Sequence, residues 1–311
     1  MKNSSFTSVS ALCFAQLAVS IGGFGIFFIL PVYAVELGIS VMMVGVILST
    51  FSLSIVVFQY PFGRFSDRLG RRKPLVALSM VGYSVVTFLY SVVRDTVGFL
   101  VVRSVQGFVG ACDQAVTPPM VADLVSSRRR GTAMGAYQTV LTVGPVVAPV
   151  LGAFVAEHLG MLWVFYLSSL LAFSSFVSIV VFVREPRRSG VKNRIGVRTR
   201  SLSELPAQAR RTIIFMLFAM ICTSMSIGLI MPLIRIFLYQ TGSTLSELGF
   251  AFSASWITTA FFTTPFGMLS DRLRRRKPFL VLGLLGLAGV SFFLPYVTSW
   301  QILAVLLSIQ G

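Results

Sequence analysis

The sequence predicts an all-α polytopic membrane protein, from its composition, the clustering of its charges and an internal repeat. Of 311 residues, 55% are apolar and 12% are charged, about half the charged share of a soluble domain. Clustering of the charges leaves eight stretches of at least 20 residues without Asp, Glu, Lys or Arg. Each is long enough for a spanning helix, which needs about 20 apolar residues. The stretches are 3–35, 37–63, 74–93, 131–156, 158–183, 212–234, 248–270 and 278–311.

These stretches place the spans in order along the chain. The first continues too far, and has too many successors, to be a cleaved signal peptide. The fourth is recognised although Arg103 and Asp113 interrupt it. The later spans are separated by Glu157, by the long basic segment 184–211 and by the charged segment that begins at Asp271. The predicted spans are 11–33, 41–62, 74–93, 97–122, 133–155, 161–183, 212–238, 246–267 and 279–297, with a tenth beginning near Trp300.

The distribution of basic residues predicts the orientation. Of the 26 Lys and Arg residues, 23 lie at Lys2 or in the segments 64–73, 128–130, 184–211 and 272–277. These segments alternate with pairs of spans, so all fall on one side, which the positive-inside rule assigns to the cytoplasm. We therefore expect a multi-pass protein of the cytoplasmic membrane with a cytoplasmic N-terminus. The net charge of +16 then reflects topology, and no nucleic-acid partner is expected.

Residues for metal or covalent chemistry are sparse. The three cysteines lie within apolar stretches, and His158 is the one histidine, so no metal-ligand spacing occurs. We expect no metal, no cofactor, no catalytic residue and no enzymatic activity. The expected partners are the lipid bilayer, a small-molecule substrate and protons, and we expect a monomer.

The chain repeats itself at an offset of 204 residues. Residues 61–74 fall on 265–278 with eleven of fourteen positions identical. A match in register predicts two parallel six-helix repeats related by an axis along the membrane normal. We expect an N-terminal bundle at 1–183, a cytoplasmic basic linker at 184–211 and a partial C-terminal bundle at 212–311. The second repeat is expected to stop within its fourth helix, which gives about 9.5 transmembrane helices.

Three motifs carry a resemblance to a known family. One, between spans two and three, resembles motif A of the major facilitator superfamily (MFS), and a degenerate twin lies between spans eight and nine. Motifs in spans four and five are similar to motifs B and C. Their residues are Gly63, Asp67, Arg68, Gly70, Arg71 and Arg72 (motif A); Gly267, Asp271, Arg272 and Arg275 (second motif A); Arg103, Gln106 and Gly107 (motif B); Gly144, Pro145, Pro149 and Gly152 (motif C).

The resemblance implies the MFS fold and a transporter most similar to 12-span drug:proton antiporters. It also implies that motif A latches onto span eleven and its twin onto the start of span five. We therefore expect a latch between Asp271 and the backbone and bases near Arg130 and Gly131, loosened by Arg274, which stands where the first copy has glycine. The alternative interpretation is that the motif A loop forms no latch and only sets the orientation of the chain in the membrane.

The residues of motif A also have a physical interpretation. Gly63 would let the end of span two approach a neighbour closely. Asp67 can accept hydrogen bonds from the positive N-terminus of an adjacent helix. Pro74 suits the first turn of span three, where its missing N–H would be unpaired anyway.

Polar side chains in the middle of span four share one face. At 100° per residue they occupy an arc of about 100°, which must face a cavity or a polar interface. Because ionisable residues inside a membrane usually mark function, Asp113 is interpreted as a proton-coupling carboxylate and Arg103 as a charge that tunes or relays. Both could instead be neutralised on neighbouring helices for structural reasons. The polar residues are Arg103, Gln106, Asp113 and Gln114.

Small residues and prolines mark span five. Gly144, Ala148 and Gly152 recur every four residues, which favours close helix packing, while Pro145 and Pro149 favour a bend. Packing and a hinge that biases export are both consistent with this pattern. Near the outer membrane surface, we expect Arg235 to snorkel to the interface and to be structural.

Together these features predict a secondary transporter that works by alternating access. Motif C and the scarcity of charged or carboxamide side chains in spans one and seven favour proton-coupled export of a lipophilic or drug-like molecule. Proton-coupled uptake of a small metabolite and a non-transporting fragment remain the alternatives.

Overall fold

A computed structural model describes residues 2–185, 207–273, 277–297 and 299–310. Within these ranges the chain forms ten α-helices and no strand. Short 3₁₀ turns at Ser127–Arg129 and Leu294–Tyr296 precede α5 and follow α9. The helices are α1 (Lys2–Glu36), α2 (Val41–Leu69), α3 (Lys73–Leu89), α4 (Thr96–Asp123), α5 (Arg130–His158), α6 (Met161–Phe182), α7 (Ala207–Gln240), α8 (Leu245–Leu273), α9 (Lys277–Phe293) and α10 (Trp300–Gln310).

Each predicted span corresponds to one of these helices, so the all-α fold class is confirmed. In the described part of the chain, five helices are long and apolar enough to cross a membrane by length and composition. Several helices run beyond the apolar stretch that predicted them, because polar residues continue a helix in the interfacial region. The five are Thr7–Glu36, Val41–Leu69, Arg130–His158, Met161–Phe182 and Arg210–Gln240. Most of the predicted linker, residues 186–206, lies outside the described residues.

Motif A lies mostly within a helix instead of a loop, because α2 continues to Leu69. The helix ends at Gly70, whose φ of +68° is left-handed and whose N–H donates to the Ser66 carbonyl at 3.3 Å. A left-handed residue after a helix is usually glycine, which accounts for this position of the motif. Pro74 stands in the first turn of α3, as expected.

Among the first six helices, α1 packs against α5 and α6, and α2 packs against α4. Hydroxyl groups of α6 join it to α1: Ser168 donates to the Gly22 carbonyl at 3.1 Å and Ser175 to the Ala15 carbonyl at 2.9 Å. Helix α3 packs against α4 and α6. Contacts with the later helices include those of α5 with α8, of α1 with α7 and of α2 with α7.

Helices α2 and α4 cross closely at Gly107 of motif B. A Cβ atom there would lie 2.5 Å from the Phe51 carbonyl oxygen and 2.6 Å from the Ser54 Cβ. The backbone of one helix therefore occupies the space that any other side chain would need, which is the usual role of small residues between membrane helices.

We expect the substitution Gly107→Val to destabilise the bundle by about 1–3 kcal/mol, the usual cost of overpacking. Thermal unfolding of the purified protein in detergent checks this. Gly45→Val in α2 is the matched control, because no described atom lies within 4 Å of a Cβ at Gly45. Equal shifts of the unfolding midpoint in the two variants would show that the α2–α4 crossing does not depend on Gly107.

Candidate functional site

The first six helices and the last four are hydrogen-bonded to each other at one end of the bundle. We call the end with Arg72 and Arg130 the basic end. At the opposite end, Tyr239 of α7 donates to Glu36 of α1 at 2.6 Å. The Ser246 backbone N–H donates to Glu157 of α5 at 2.8 Å, and its hydroxyl also contacts that carboxylate. Glu157 therefore occupies the N-terminus of α8, where the helix dipole favours an anion.

Arg235 of α7 does not snorkel, and that expectation is wrong. The residue is only 1% exposed, and its guanidinium donates to the carbonyls of Phe27 at 2.8 Å and Phe28 at 3.3 Å in α1. Pro31 has no N–H to bond the carbonyl of Phe27 four residues earlier. Arg235 thus donates to the Phe27 carbonyl, which the proline leaves without an intrahelical donor, and this hydrogen bond joins α7 to α1.

Apolar contacts continue this interface toward the middle of the bundle. Phe28 meets Phe252 edge to face at 5.6 Å between ring centroids, and Phe24 meets Trp256 at 5.9 Å. Such pairs add about 0.5–1.5 kcal/mol each beyond their buried area.

Motif C lies in the same interface. A Cβ at Gly249 of α8 would be 2.7 Å from the Pro149 carbonyl oxygen, and one at Gly144 would be 2.6 Å from the Ser20 Cβ of α1. A Cβ at Gly152 would be 3.5 Å from the Gly25 Cα. Helix α5 is therefore held closely between α1 and α8, with Pro145 buried on the same helix.

Apolar side chains of α8 are exposed toward the basic end. Phe261, Phe266 and Met268 of α8 are 69%, 53% and 64% exposed. Gly131, at the start of α5, is exposed, and no described atom lies within 4 Å of a Cβ there. Among the described residues, the recorded hydrogen bonds between the two groups of helices all lie at the end opposite the basic end.

The predicted latch of the second motif A lies at the basic end. The Asp271 side chain and residues 274–276, which include Arg274 and Arg275, lie outside the described residues. Gly267 and Arg272 belong to α8, and Arg272 is exposed. A latch from Asp271 to Arg130 therefore stays a prediction.

Arg72 is the centre of the first motif A. It is 3% exposed, and it binds Asp67 at 3.1 Å and Asp123 of α4 at 2.8 Å. Arg68 and Arg71 are exposed. The close approach expected at Gly63 is not found, because no described atom lies within 4 Å of a Cβ there.

Glu185 is a contact residue of motif A that sequence reasoning missed. Its carboxylate accepts hydrogen bonds from the backbone N–H groups of Arg72 at 2.7 Å and Lys73 at 3.2 Å. The Lys73 ammonium donates to the Val180 carbonyl at 2.8 Å. The end of α6 is thereby joined to motif A and caps the N-terminus of α3, where an anion is favoured.

Motif B fixes a buried arginine. Arg103 is 3% exposed and donates to the Gln106 Oε1 at 2.6 Å, an atom that also accepts from the Tyr90 hydroxyl at 2.8 Å. The guanidinium lies 4.7 Å from the centroid of the Phe51 ring, a cation–π distance. As expected from their separation on α4, Arg103 and Asp113 do not form an ion pair among the described residues.

Asp113 is a buried carboxyl, 6% exposed. It accepts hydrogen bonds from Gln16 of α1 at 2.8 Å and from Thr117 at 2.5 Å. Gln16 was not anticipated, although it is the one carboxamide in the first span. Both partners are neutral, so the carboxyl can exist with or without a proton without leaving a buried counter-ion unpaired.

The described helices form a polytopic membrane bundle, the class of protein that the fold defines, with a carboxyl and arginines buried among them. Within it, the sequence model of the Major Facilitator Superfamily matches residues 12–223 and 216–311. The chain belongs to this superfamily, as its motifs predicted.

Relatives and solved structures agree with that assignment. A multidrug transporter of Candida glabrata is 30% identical over 166 residues, 53% of this chain but only 27% of its own length. An uncharacterised MFS-type transporter of Methanocaldococcus jannaschii is 26% identical over 306 residues, 92% of this chain and 76% of its own. The chain thus spans about a quarter of the length of the multidrug relative.

Among solved structures, a bacterial homologue of the human lysosomal transporter Spinster, in an inward-facing and unoccupied conformation, superposes with a TM-score of 0.76 at 16% identity. That match covers 100% of this chain and 72% of the other. The nucleoside transporter NupG superposes with a TM-score of 0.78 at 13% identity, covering 97% and 78%. These similarities show the fold.

Proposed function

We propose that this protein is a secondary active transporter that exports lipophilic small molecules in exchange for protons by alternating access. The observation that carries the proposal is the one-ended contact between the first six helices and the last four. In this interpretation 1–183 and 212–311 move as two bodies joined by the linker 184–211. The basic end faces the cytoplasm, since basic loops are retained there, so the conformation is open inward.

The end opposite the basic end, the closed end in this interpretation, has the properties of a gate. Its polar contacts are a few hydrogen bonds, beside an apolar cluster with aromatic pairs, and we propose that these contacts break and re-form when the halves rock. Motif A would stabilise the opposite conformation, in which the basic end is closed. Arg72 and Glu185 hold the ends of α2, α3 and α6 together at the basic end, and the second half can close against this rigid surface.

Asp113 is proposed as the proton-carrying group. The carboxyl is buried, contacts no cation among the described residues, and is held in place by Gln16 and Thr117. Two sources support export: small-residue packing of motif C against α8 and the multidrug transporter among the relatives.

Transport by reconstituted protein tests the proposal. In liposomes with an imposed pH gradient, a lipophilic substrate exchanged for one proton is expected to accumulate about tenfold per pH unit, because one unit corresponds to about 1.4 kcal/mol. An uncoupler should abolish the accumulation. Asp113→Asn is expected to retain exchange down a substrate gradient and to lose accumulation driven by the pH gradient.

The matched control is Asp95→Asn. Asp95 caps α4 by accepting from the Gly98 N–H at 3.0 Å, and asparagine caps equally well, so gradient-driven accumulation should persist. Accumulation by Asp113→Asn equal to that of the wild type would remove Asp113 from coupling. A wild-type protein that moves no compound of a lipophilic panel would contradict the transport function itself.

A further inference from the structure

The hydrogen bond between Gln16 and Asp113 joins two helices that pack mainly on other neighbours. Helix α1 packs chiefly against α5 and α6, and α4 chiefly against α2 and α3. Gln16 of α1 nevertheless donates from its amide nitrogen to the Asp113 Oδ1 at 2.8 Å, and both side chains are buried. Because the backbones of α1 and α4 pack mainly elsewhere, this bond can weaken or re-form without disrupting a helix crossing.

The other recorded partner of the Asp113 carboxyl comes from the same helix. The Thr117 hydroxyl, one turn further along α4, donates to the same Oδ1 atom at 2.5 Å. Thr117 therefore holds the carboxyl relative to its own helix. Within the described part of the chain, Gln16 is the hydrogen-bond partner through which a change at Asp113 can act outside α4.

Helix α1 also carries contacts with the second half. Eleven residues after Gln16, the Phe27 carbonyl accepts from Arg235 of α7 at 2.8 Å. Glu36, the last residue of α1, accepts from Tyr239 of α7 at 2.6 Å. At 1.5 Å per residue, Gln16 and Phe27 lie about 17 Å apart along one continuous helix. Since a packed helix can carry coupling between distant sites, a displacement of α1 at Gln16 can reach its contacts with α7.

The strength of the bond between Gln16 and Asp113 depends on whether Asp113 carries a proton. Hydrogen bonds to an ionised group are shorter and roughly twice as strong as those between neutral groups. The glutamine amide itself does not titrate. Gain or loss of a proton by Asp113 therefore changes how firmly α4 holds α1.

We propose that Gln16 is a positioning residue that transmits the protonation of Asp113 to α1, and thereby to the contacts between α1 and α7. The inference rests on the proposed function and adds the route by which the proton acts on the two conformations. Gln16 acts through Asp113 and binds neither the proton nor the substrate. Without Gln16, Asp113 would still exchange protons, but its state would no longer bias the position of α1.

A pH series can isolate Asp113 because the other titratable groups around it keep their charge. Tyrosine and cysteine ordinarily titrate near pH 10 and pH 8.5, and arginine above pH 12. A series from about pH 4 to about pH 7.5 therefore leaves these groups unchanged. They are Tyr83 of α3, Tyr137 of α5, Cys13 of α1, and Cys112 and Arg103 of α4.

Spin labels on cysteines introduced at Leu159 and Thr241 measure the response. Both positions are exposed at the end opposite the basic end. With Cys13, Cys112 and Cys222 replaced by alanine, pulsed electron resonance of the full chain in lipid nanodiscs would follow the distance between the labels across the pH series. The ratio of the short-distance to the long-distance population is the measured quantity.

The response that depends on Asp113 is the difference between the wild type and Asp113→Asn. Glu36 and Glu157 at the labelled end also titrate, ordinarily near pH 4.3, and their share of the response persists in Asp113→Asn. We expect the population ratio of the wild type to change at least about fivefold across the series, the lower limit of typical coupling between sites. Asp113→Asn should remove most of this change.

Variants of Gln16 then test the route. Gln16→Met should respond to pH like Asp113→Asn, because methionine has a similar length but no N–H donor. Gln16→Asn keeps a buried amide but is one methylene shorter, so it should behave in the same way and tests the route even if Gln16→Met does not fold. Adding Gln16→Met to Asp113→Asn should remove no further response, since both substitutions act on one interaction.

The matched control is Ser175→Ala. It removes the hydrogen bond from α6 to the Ala15 carbonyl of α1 at 2.9 Å, beside Gln16 but not connected with Asp113. We expect this variant to keep the wild-type response. Loss of the response in Ser175→Ala as well would show that Gln16 is merely structural. A response that persists in both Gln16 variants, or a wild type that responds no more than Asp113→Asn, would also overturn the proposal.

Transport in liposomes separates failure of this inference from failure of the proposed function. If the wild type and Gln16→Met accumulate substrate equally when driven by the pH gradient, the transporter stands and the route through Gln16 fails. If the distances respond as expected but the wild type moves no compound, the route through Gln16 stands and the transport function fails.

Discussion

A reversible crosslink between cysteines placed at Glu157 and Ser246 is expected to abolish transport completely. These residues join α5 to α8 at the closed end, and alternating access requires this end to open once per cycle. After replacement of Cys13, Cys112 and Cys222 by alanine, a short reducible bis-thiosulfonate reagent should reduce substrate flux to the background of empty liposomes. A reductant should restore it.

The matched control joins two helices of the same half. Cysteines at Lys73 and Val180 link α3 to α6 where the Lys73 ammonium meets the Val180 carbonyl at 2.8 Å. This crosslink should leave flux largely unchanged, because the first six helices move together in the proposed cycle. Full flux through the crosslinked Glu157–Ser246 protein would show that the closed end does not have to open.

The substitution Arg72→Met is expected to destabilise the protein by about 1.5–3 kcal/mol, the range for hydrogen bonds to charged groups, because the Asp67 and Asp123 side chains are 59% and 17% exposed and stay partly hydrated. Arg72 is buried between Asp67 and Asp123, and its loss leaves the Asp123 carboxylate without its cation. Reversible unfolding in mixed micelles, followed by the loss of helical signal, measures this change.

Arg64→Met is the matched control for Arg72. Arg64 lies in the same motif region but is exposed and donates only a 3.3 Å hydrogen bond to Tyr60 among the described side chains. Its removal should cost less than about 1 kcal/mol, as for other exposed pairs. Equal destabilisation by the two substitutions would mean that Arg72 contributes no more than a surface charge.

The positions of the helices could be predicted because the bilayer imposes a simple rule on the sequence. Twenty residues without a charge are a local property, and the clusters around 64–73 and 272–277 separate one span from the next. The ends were less predictable, since α2 continues past its apolar part to Leu69. Nothing in hydropathy distinguishes a polar final turn of a helix from a polar loop.

The contacts of the site were predictable only in part. The polar face of α4 follows from helical periodicity, whereas the partners of its residues depend on tertiary packing. Asp113 binds Gln16 across 97 residues of sequence, Glu185 caps Arg72 across 113, and Arg235 reaches Phe27 across 208. One sequence contains no local signal for such pairings.

The glycines show the same difference between features that depend on local sequence and features that depend on tertiary packing. Gly70 ends α2 because its left-handed backbone is a local requirement that glycine meets, although the predicted span ended earlier, at residue 62. Close approach was predicted at Gly63 and along the stripe that contains Gly144; it occurs at Gly144 and at Gly107, but not at Gly63. Which glycine meets a neighbouring backbone depends on where two helices cross, and that is decided by the whole bundle.

The central claim is that the two groups of helices alternate between contact at one end of the bundle and contact at the other. Paired distance measurements at the two ends test it most directly. Spin labels at Thr132 and Met268, both exposed, would report the basic end, and labels at Leu159 and Thr241, also exposed, the opposite end. Pulsed electron resonance in nanodiscs would follow both distances over a pH series and with transported compounds. The account predicts that every condition that shortens the basic-end distance lengthens the other; distances that stay fixed throughout, or that change in the same direction, would contradict it.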